Sequence, residues 1–122
     1  MRHRSRIGRL DRGSATVLVV AAIAALLASG IGAMALVGAV RASHQAHSAA
    51  DLAVLAGAMV LARGESAASA CARATIVAAQ NRAGLIACHA SGDAVLEVVV
   101  TTSSGAPGLS PAVARSRAGP GA

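Results

Sequence analysis

Between Arg12 and Arg41 the chain reads GSATVLVVAAIAALLASGIGAMALVGAV, residues 13–40, without one charged side chain. About 20 apolar residues in a helix cross a hydrocarbon layer of ~30 Å. A helix is required because lipid offers backbone amides no partner. These 28 residues exceed that length. The larger side chains, among them Val17, Leu18, Val20, Ile23, Leu27, Ile31, Met34, Leu36 and Val40, fall on every side of a helical wheel, as lipid contact all round demands. The stretch predicts a single transmembrane helix with the lipid bilayer as its partner.

Charge on either side sets the expected orientation. Arg2, Arg4, Arg6, Arg9 and Arg12 precede the span, whereas only Arg41 occurs in the twenty residues after it. Positive charge is retained on the cytoplasmic side. Residues 1–12 are therefore expected to form a cytoplasmic arm of an inner (plasma) membrane protein, with everything beyond residue 40 outside. The net charge of +6 comes mainly from this arm, so it marks topology more than a nucleic-acid surface. The absence of Phe, Tyr and Trp also excludes platforms that stack bases. No nucleic-acid partner is expected.

Two other fates compete for the apolar stretch. Ala33-Met34-Ala35 has the form of a signal-peptidase site. Cleavage after Ala35 would release a small secreted binding protein. Alternatively, the arginine arm and helix could act together as a membrane-active peptide. Small residues recur every four positions at Ala21, Ala25, Ser29 and Ala33, and again at Ala24, Ala28 and Gly32. Such stripes permit helix–helix oligomers in lipid, although a chain with 33 alanines produces them readily.

After Arg41 the pattern becomes amphipathic without a break. Residues 42–62 lack proline and set Leu52, Leu55, Met59 and Ala62 on one stripe at three- and four-residue spacing. One long helix is predicted to leave the membrane and stop near Gly64. With Gln45 and Asp51, the residues Leu52, Leu55 and Met59 make the face expected to meet partners. A second, short helix is predicted over 66–82, with Ile76 on its apolar side. A β-branched run at 94–102 predicts a strand. A lone strand is unstable, so Val98 is expected at an edge that can extend a partner's sheet. Residues 103–122, rich in Gly, Pro, Ser, Ala and Arg, read as a disordered tail. The fold class is therefore mainly α, with one or two strands near the C-terminus and a small exterior domain over 41–102.

Cys71 and Cys88 are the only cysteines. The expected topology puts both in an oxidising compartment, which favours a bridge over two free thiols. Closing a loop of this size stabilises by ~3 kcal/mol in the chain-entropy picture. Little supports an enzyme. His44, His47 and Asp51 could share a helix face, but they lack a fourth ligand for a closed metal site. Cys88-His89 has no orienting third group. No phosphate loop, zinc-protease motif or nucleophile elbow occurs. Neither catalysis nor a cofactor is expected.

Two segments carry a family resemblance. Asp11-Arg12-Gly13-Ser14-Ala15-Thr16-Val17 resembles the RGxxxVE opening of the TadE/TadG-like proteins of tight-adherence (Flp) pilus and type IV-related secretion systems. The segment from Gln45 to Ala58, QAHSAADLAVLAGA, resembles their QxAADAAALAGA stretch. In form the chain is most similar to the short actinobacterial group encoded near helicase and secretion genes, which shares an RGSATV opening and a later cysteine pair. The resemblance implies an accessory or pseudopilin-like part of such an apparatus, with its other components as partners. It also implies prepilin-type processing between Gly13 and Ser14. One departure bears on this: the glutamate expected five residues after the glycine is replaced by Leu18, and residues 13–40 hold no acid. A carboxylate inside lipid is costly, so its absence fits a retained anchor better than a filament subunit.

Overall fold

The computed structural model describes residues 11–105 and 108–121. The chain divides into two compact units, Met1–Leu36 and Val37–Ala122. The elements are α1 (Asp11–Ala62), α2 (Ala67–Gln80), β1 (Gly84–Ser91), β2 (Val95–Thr102) and β3 (Ala112–Ala118). The chain is mainly helical, with a three-stranded antiparallel sheet in the order β1-β2-β3. In the first unit, every side chain described from Gly13 onward is exposed except Ala35, which is half-buried. This helix is long and apolar enough to cross a membrane.

The second unit begins on the same helix. α1 stops where Gly64 takes φ +81°. There the amide of Gly64 donates to the carbonyl of Leu61 at 2.9 Å and that of Glu65 to Val60 at 3.3 Å. These bonds satisfy carbonyls that the helix end would otherwise orphan. Ser66 then starts α2, its Oγ accepting from the amide of Ser69 at 3.1 Å. So short a connection folds α2 back along α1 as a helical hairpin. The far end of α2 closes in the same manner as α1, with the amide of Ala83 donating to Ala78 at 2.9 Å. Here, however, the left-handed position is held by Arg82 at φ 56°.

The core lies between the small faces of the helices and the inner face of β2. Ala46, Ala49, Ala50, Ala53 and Val54 of α1, with Ala70, Ala74 and Ala78 of α2, meet Leu96, Val98 and Val100. The helix faces turned inward are thus mostly alanine. Leu96, Val54, Val98 and Val100 are the largest fully buried side chains. Such a core depends on close approach, since each alanine methyl contributes only ~0.8 kcal/mol of burial. Gly57 sets the approach. A Cβ there would collide with the Leu96 side chain and lie 2.9 Å from the Ala70 carbonyl oxygen.

Four expectations need correction. The strand around Val98 is β2, the central strand, paired along both edges, so it has no free edge to offer a partner. The expected tail contains β3, whose residues pair with β2 from Ala112 to Ala118. Its inward positions are Ala112, Ala114, Ser116 and Ala118, small enough to lie under α1. With its arginines pointing outward, the strand reads by composition as loop. β1 was likewise unforeseen, because GLIACHAS alternates poorly. The pairing register slips between Leu85 and Ala87, leaving Ile86 as the extra, exposed residue. That bulge puts Leu85 and Cys88 on one face despite their odd spacing, and both pack against the core. Finally, Ile76 is exposed; α2 buries Ala70, Ala74 and Ala78 instead.

Cys71 and Cys88 form a disulfide joining α2 to β1, across a sequence separation of 17. At ~3 kcal/mol for a loop of this size, the bridge is comparable with burying one large aliphatic side chain. In a core of alanines that is a large share.

Gly57→Ala is expected to destabilise the protein by about 1–3 kcal/mol through overpacking, despite the better helix propensity of alanine. Chemical denaturation in detergent, followed by circular dichroism, measures it. Ala94 closes the β1–β2 hairpin at φ 57°, a position where glycine avoids a steric cost of about 1–2 kcal/mol. Ala94→Gly is expected to raise the denaturation midpoint in the same assay.

Candidate functional site

The outer half of α1 divides its side chains between two tasks. Every third or fourth residue from Ala42 to Val60 faces the sheet and α2, as a helix packed on one side requires. Three hydrogen bonds add to that packing. The Thr102 hydroxyl, nearly fully buried, donates to the Ala42 carbonyl at 3.0 Å. The Gln45 amide group donates to the Asn81 carbonyl at 3.2 Å, tying α1 to the end of α2. The Ser116 hydroxyl donates to Asp51 Oδ1 at 2.6 Å, tying β3 to α1. A hydrogen bond to a charged acceptor is worth roughly 1.5–3 kcal/mol when shielded, and less at this exposed position.

The expected partner-facing set is therefore of two kinds. Gln45 and Asp51 are engaged within the chain. Leu52, Leu55 and Met59 are turned to solvent, 48%, 54% and 59% exposed, on the same stretch of helix whose alanines are buried. This reverses the usual pattern, in which the large aliphatic side chains of a helix face its own core. Beside the stripe, a groove of about 600 Å³ runs between α1 and α2. Met59, Ala56, Ala72 and Ile76 give it apolar walls, and Arg63, Glu65 and Arg73 edge it. Arg63 and Glu65 approach to 4.0 Å with both side chains exposed, a pairing that contributes little.

The residues weighed for chemistry are placed differently. His44 and His47 are exposed on α1, and the Asp51 carboxylate is occupied by Ser116. Among the described residues no group of three or more His, Cys, Asp or Glu is arranged to hold a metal ion. Cys88 is consumed by its bridge to Cys71. His89, its neighbour on β1, points to the other face of the sheet, because successive strand residues alternate. Gly13 and Ser14 lie in the first turns of α1. Arg2, Arg4, Arg6 and Arg9 lie outside the described residues, as does the side chain of Arg12.

Sequence reasoning missed Gly57, Thr102, Asn81 and Ser116 as the contacts that position this face. Only the glycine inside QAHSAADLAVLAGA offered a signal, as a close-approach residue in a helix interior. The partners of Gln45 and Asp51 lie 36 and 65 residues away, beyond any local pattern.

Comparison with known proteins matches one segment. Residues 13–60 fit the model of a family described as putative Flp pilus-assembly TadE/G-like. No curated protein and no solved structure matches the chain. The matched segment lies wholly within α1 and covers both the apolar span and the outward stripe. Over residues 13–60 the chain is similar to the TadE/G-like Flp pilus-assembly proteins.

Proposed function

We propose that this protein is a non-enzymatic accessory component of a Tad/Flp-type pilus or secretion apparatus. It is held in the inner membrane by the first part of α1, with the N-terminus cytoplasmic and the sheet-bearing unit outside. The observation that carries the reading is the inverted helix in the family-matched segment. Alanines hold the domain together, while Leu52, Leu55 and Met59 remain outside. Exposed aliphatic residues in a row cost solubility unless a partner covers them. The partner is another component of the same apparatus.

In this reading the disulfide and the three long-range hydrogen bonds hold the stripe rigid, which lowers the ordering cost of binding. The span carries no acid, so nothing in it draws the helix out of lipid into a filament. A pseudopilin-like role would instead need processing between Gly13 and Ser14.

A second reading draws on one observation. The second compact unit begins at Val37, one residue beyond the start that cleavage after Ala35 would create. A signal peptidase would then release an intact domain, and the product would be a secreted binding protein.

A photoreactive amino acid at position 55 is expected to crosslink, in native membranes, to another component of the pilus or secretion apparatus. Leu55→Arg should abolish co-purification of that component while leaving the Cys71–Cys88 bridge resistant to thiol reagents. Unchanged association would overturn the assignment of the face. Separately, Ala68→Cys, an exposed position on α2, is expected to react with an impermeant maleimide in intact spheroplasts, on a chain still carrying its span. Labelling only after lysis would reverse the orientation. A labelled chain beginning at Leu36 would favour the secreted form, and one beginning at Ser14 prepilin-type processing.

A further inference from the structure

We infer that the outer edge of β3 is a docking site for an extended segment of a partner protein, added as a fourth strand and carrying acidic residues at alternate positions. The site lies wholly within the sheet-bearing unit. It is separate from the stripe of Leu52, Leu55 and Met59, so it stands whether or not that stripe meets a partner.

The two edges of the sheet are unlike. On β1 the pairing register slips between Leu85 and Ala87, and Cys88 is tied to α2. A bulge twists an edge out of the line that a new strand would follow. β3 has no such interruption. Its residues pair with β2 in one unbroken register from Ala112 to Ala118, with no proline among them. In an antiparallel ladder every second residue turns its N–H and C=O away from the neighbouring strand. Among the described residues no further backbone bond is made along the outer side of β3. Those outward donors and acceptors are the groups that an added strand uses.

Charge decides what kind of strand fits. On the face of the sheet turned away from the helices, Glu97 lies opposite Arg117 and Val99 opposite Arg115. Arg115 Nε also reaches the Glu97 carboxylate at 3.5 Å. Among the described residues no other acidic side chain forms an ion pair with either arginine. One carboxylate thus serves two exposed arginines, and the last row of the sheet keeps an excess of positive charge. An added strand would set two of its residues directly opposite Arg115 and Arg117, on that same face. Carboxylates there extend the alternation of charge from Glu97 through Arg117 by one more strand. The same arginines disfavour a second copy of this chain. Two β3 edges meeting antiparallel about Ser116 would set Arg115 against Arg117, and like charges directly opposite oppose pairing. The edge is guarded against itself and open to an acidic strand.

Two labelled peptides serve as probes, Thr-Val-Glu-Val-Glu-Val-Thr and the same sequence with lysine for both glutamates. The full-length protein in nonionic detergent is titrated with each, and binding is read by fluorescence anisotropy. The acidic peptide is expected to bind at least about tenfold more tightly than the basic one. It should also slow amide hydrogen exchange at alternate residues of β3 and leave β1 unchanged. Methylating its backbone nitrogens, which keeps its charge, should abolish binding. Arg115→Glu combined with Arg117→Glu should reverse the preference. If that variant misfolds, Arg115→Gln combined with Arg117→Gln should remove the preference instead. No binding of the acidic peptide by the native chain, or protection of β1 in place of β3, overturns the assignment of the edge. Equal binding of both peptides overturns the charge selection. Undiminished binding of the methylated peptide overturns strand addition and leaves ionic contact alone.

Discussion

Everything in the sheet-bearing unit depends on how near α1 can come to α2 and β2 at Gly57. With no aromatic side chain available, the core cannot gain stability from a few large residues. It relies on many small ones held close. A hydrogen at position 57 lets the Ala70 backbone and the Leu96 side chain occupy space that a methyl group would take. That closeness allows Ala46, Ala49, Ala50 and Ala53 to be buried completely in spite of their size. Dense packing then recovers dispersion energy that a looser alanine core would lose.

The same constraint explains the outward leucines. A helix that must lie close against its domain can put only small side chains on that side. Leu52, Leu55 and Met59, had they been inward, would have pushed the sheet away. Set outside, they give the family-matched segment a second surface with no role in its own fold. Structure and proposed function thus use opposite faces of one helix, and substitutions can address them separately. The disulfide serves the first task. It fastens β1 to α2.

Legibility in the sequence followed the range of the interactions. The long helix, its stop at Gly64, the start of α2 after Ser66, the strand around Val98 and the cysteine pairing all arise from local patterns or from simple counting. β3 was hidden because its inward positions are Ala and Ser, so the alternation shows only in the outward Val113, Arg115 and Arg117. β1 was hidden because the bulge at Ile86 breaks its alternation and shifts the phase of Cys88. Gln45 and Asp51 were expected to face a partner and instead bond within the chain. Their roles as braces depended on Asn81 and Ser116, which only the folded chain brings near.

By itself the sequence determined that a 28-residue uncharged run favours lipid, and that the helix it begins continues past Arg41. It also determined that the two cysteines stand at a spacing a small domain can bridge. Hydrophobicity, helix length and chain order decide these matters, and all are properties of residues close together. The tertiary structure alone decided which side of that helix is inside. Alanine and leucine can both be buried, and the choice between them rests on the distance to a sheet whose strands lie far along the chain.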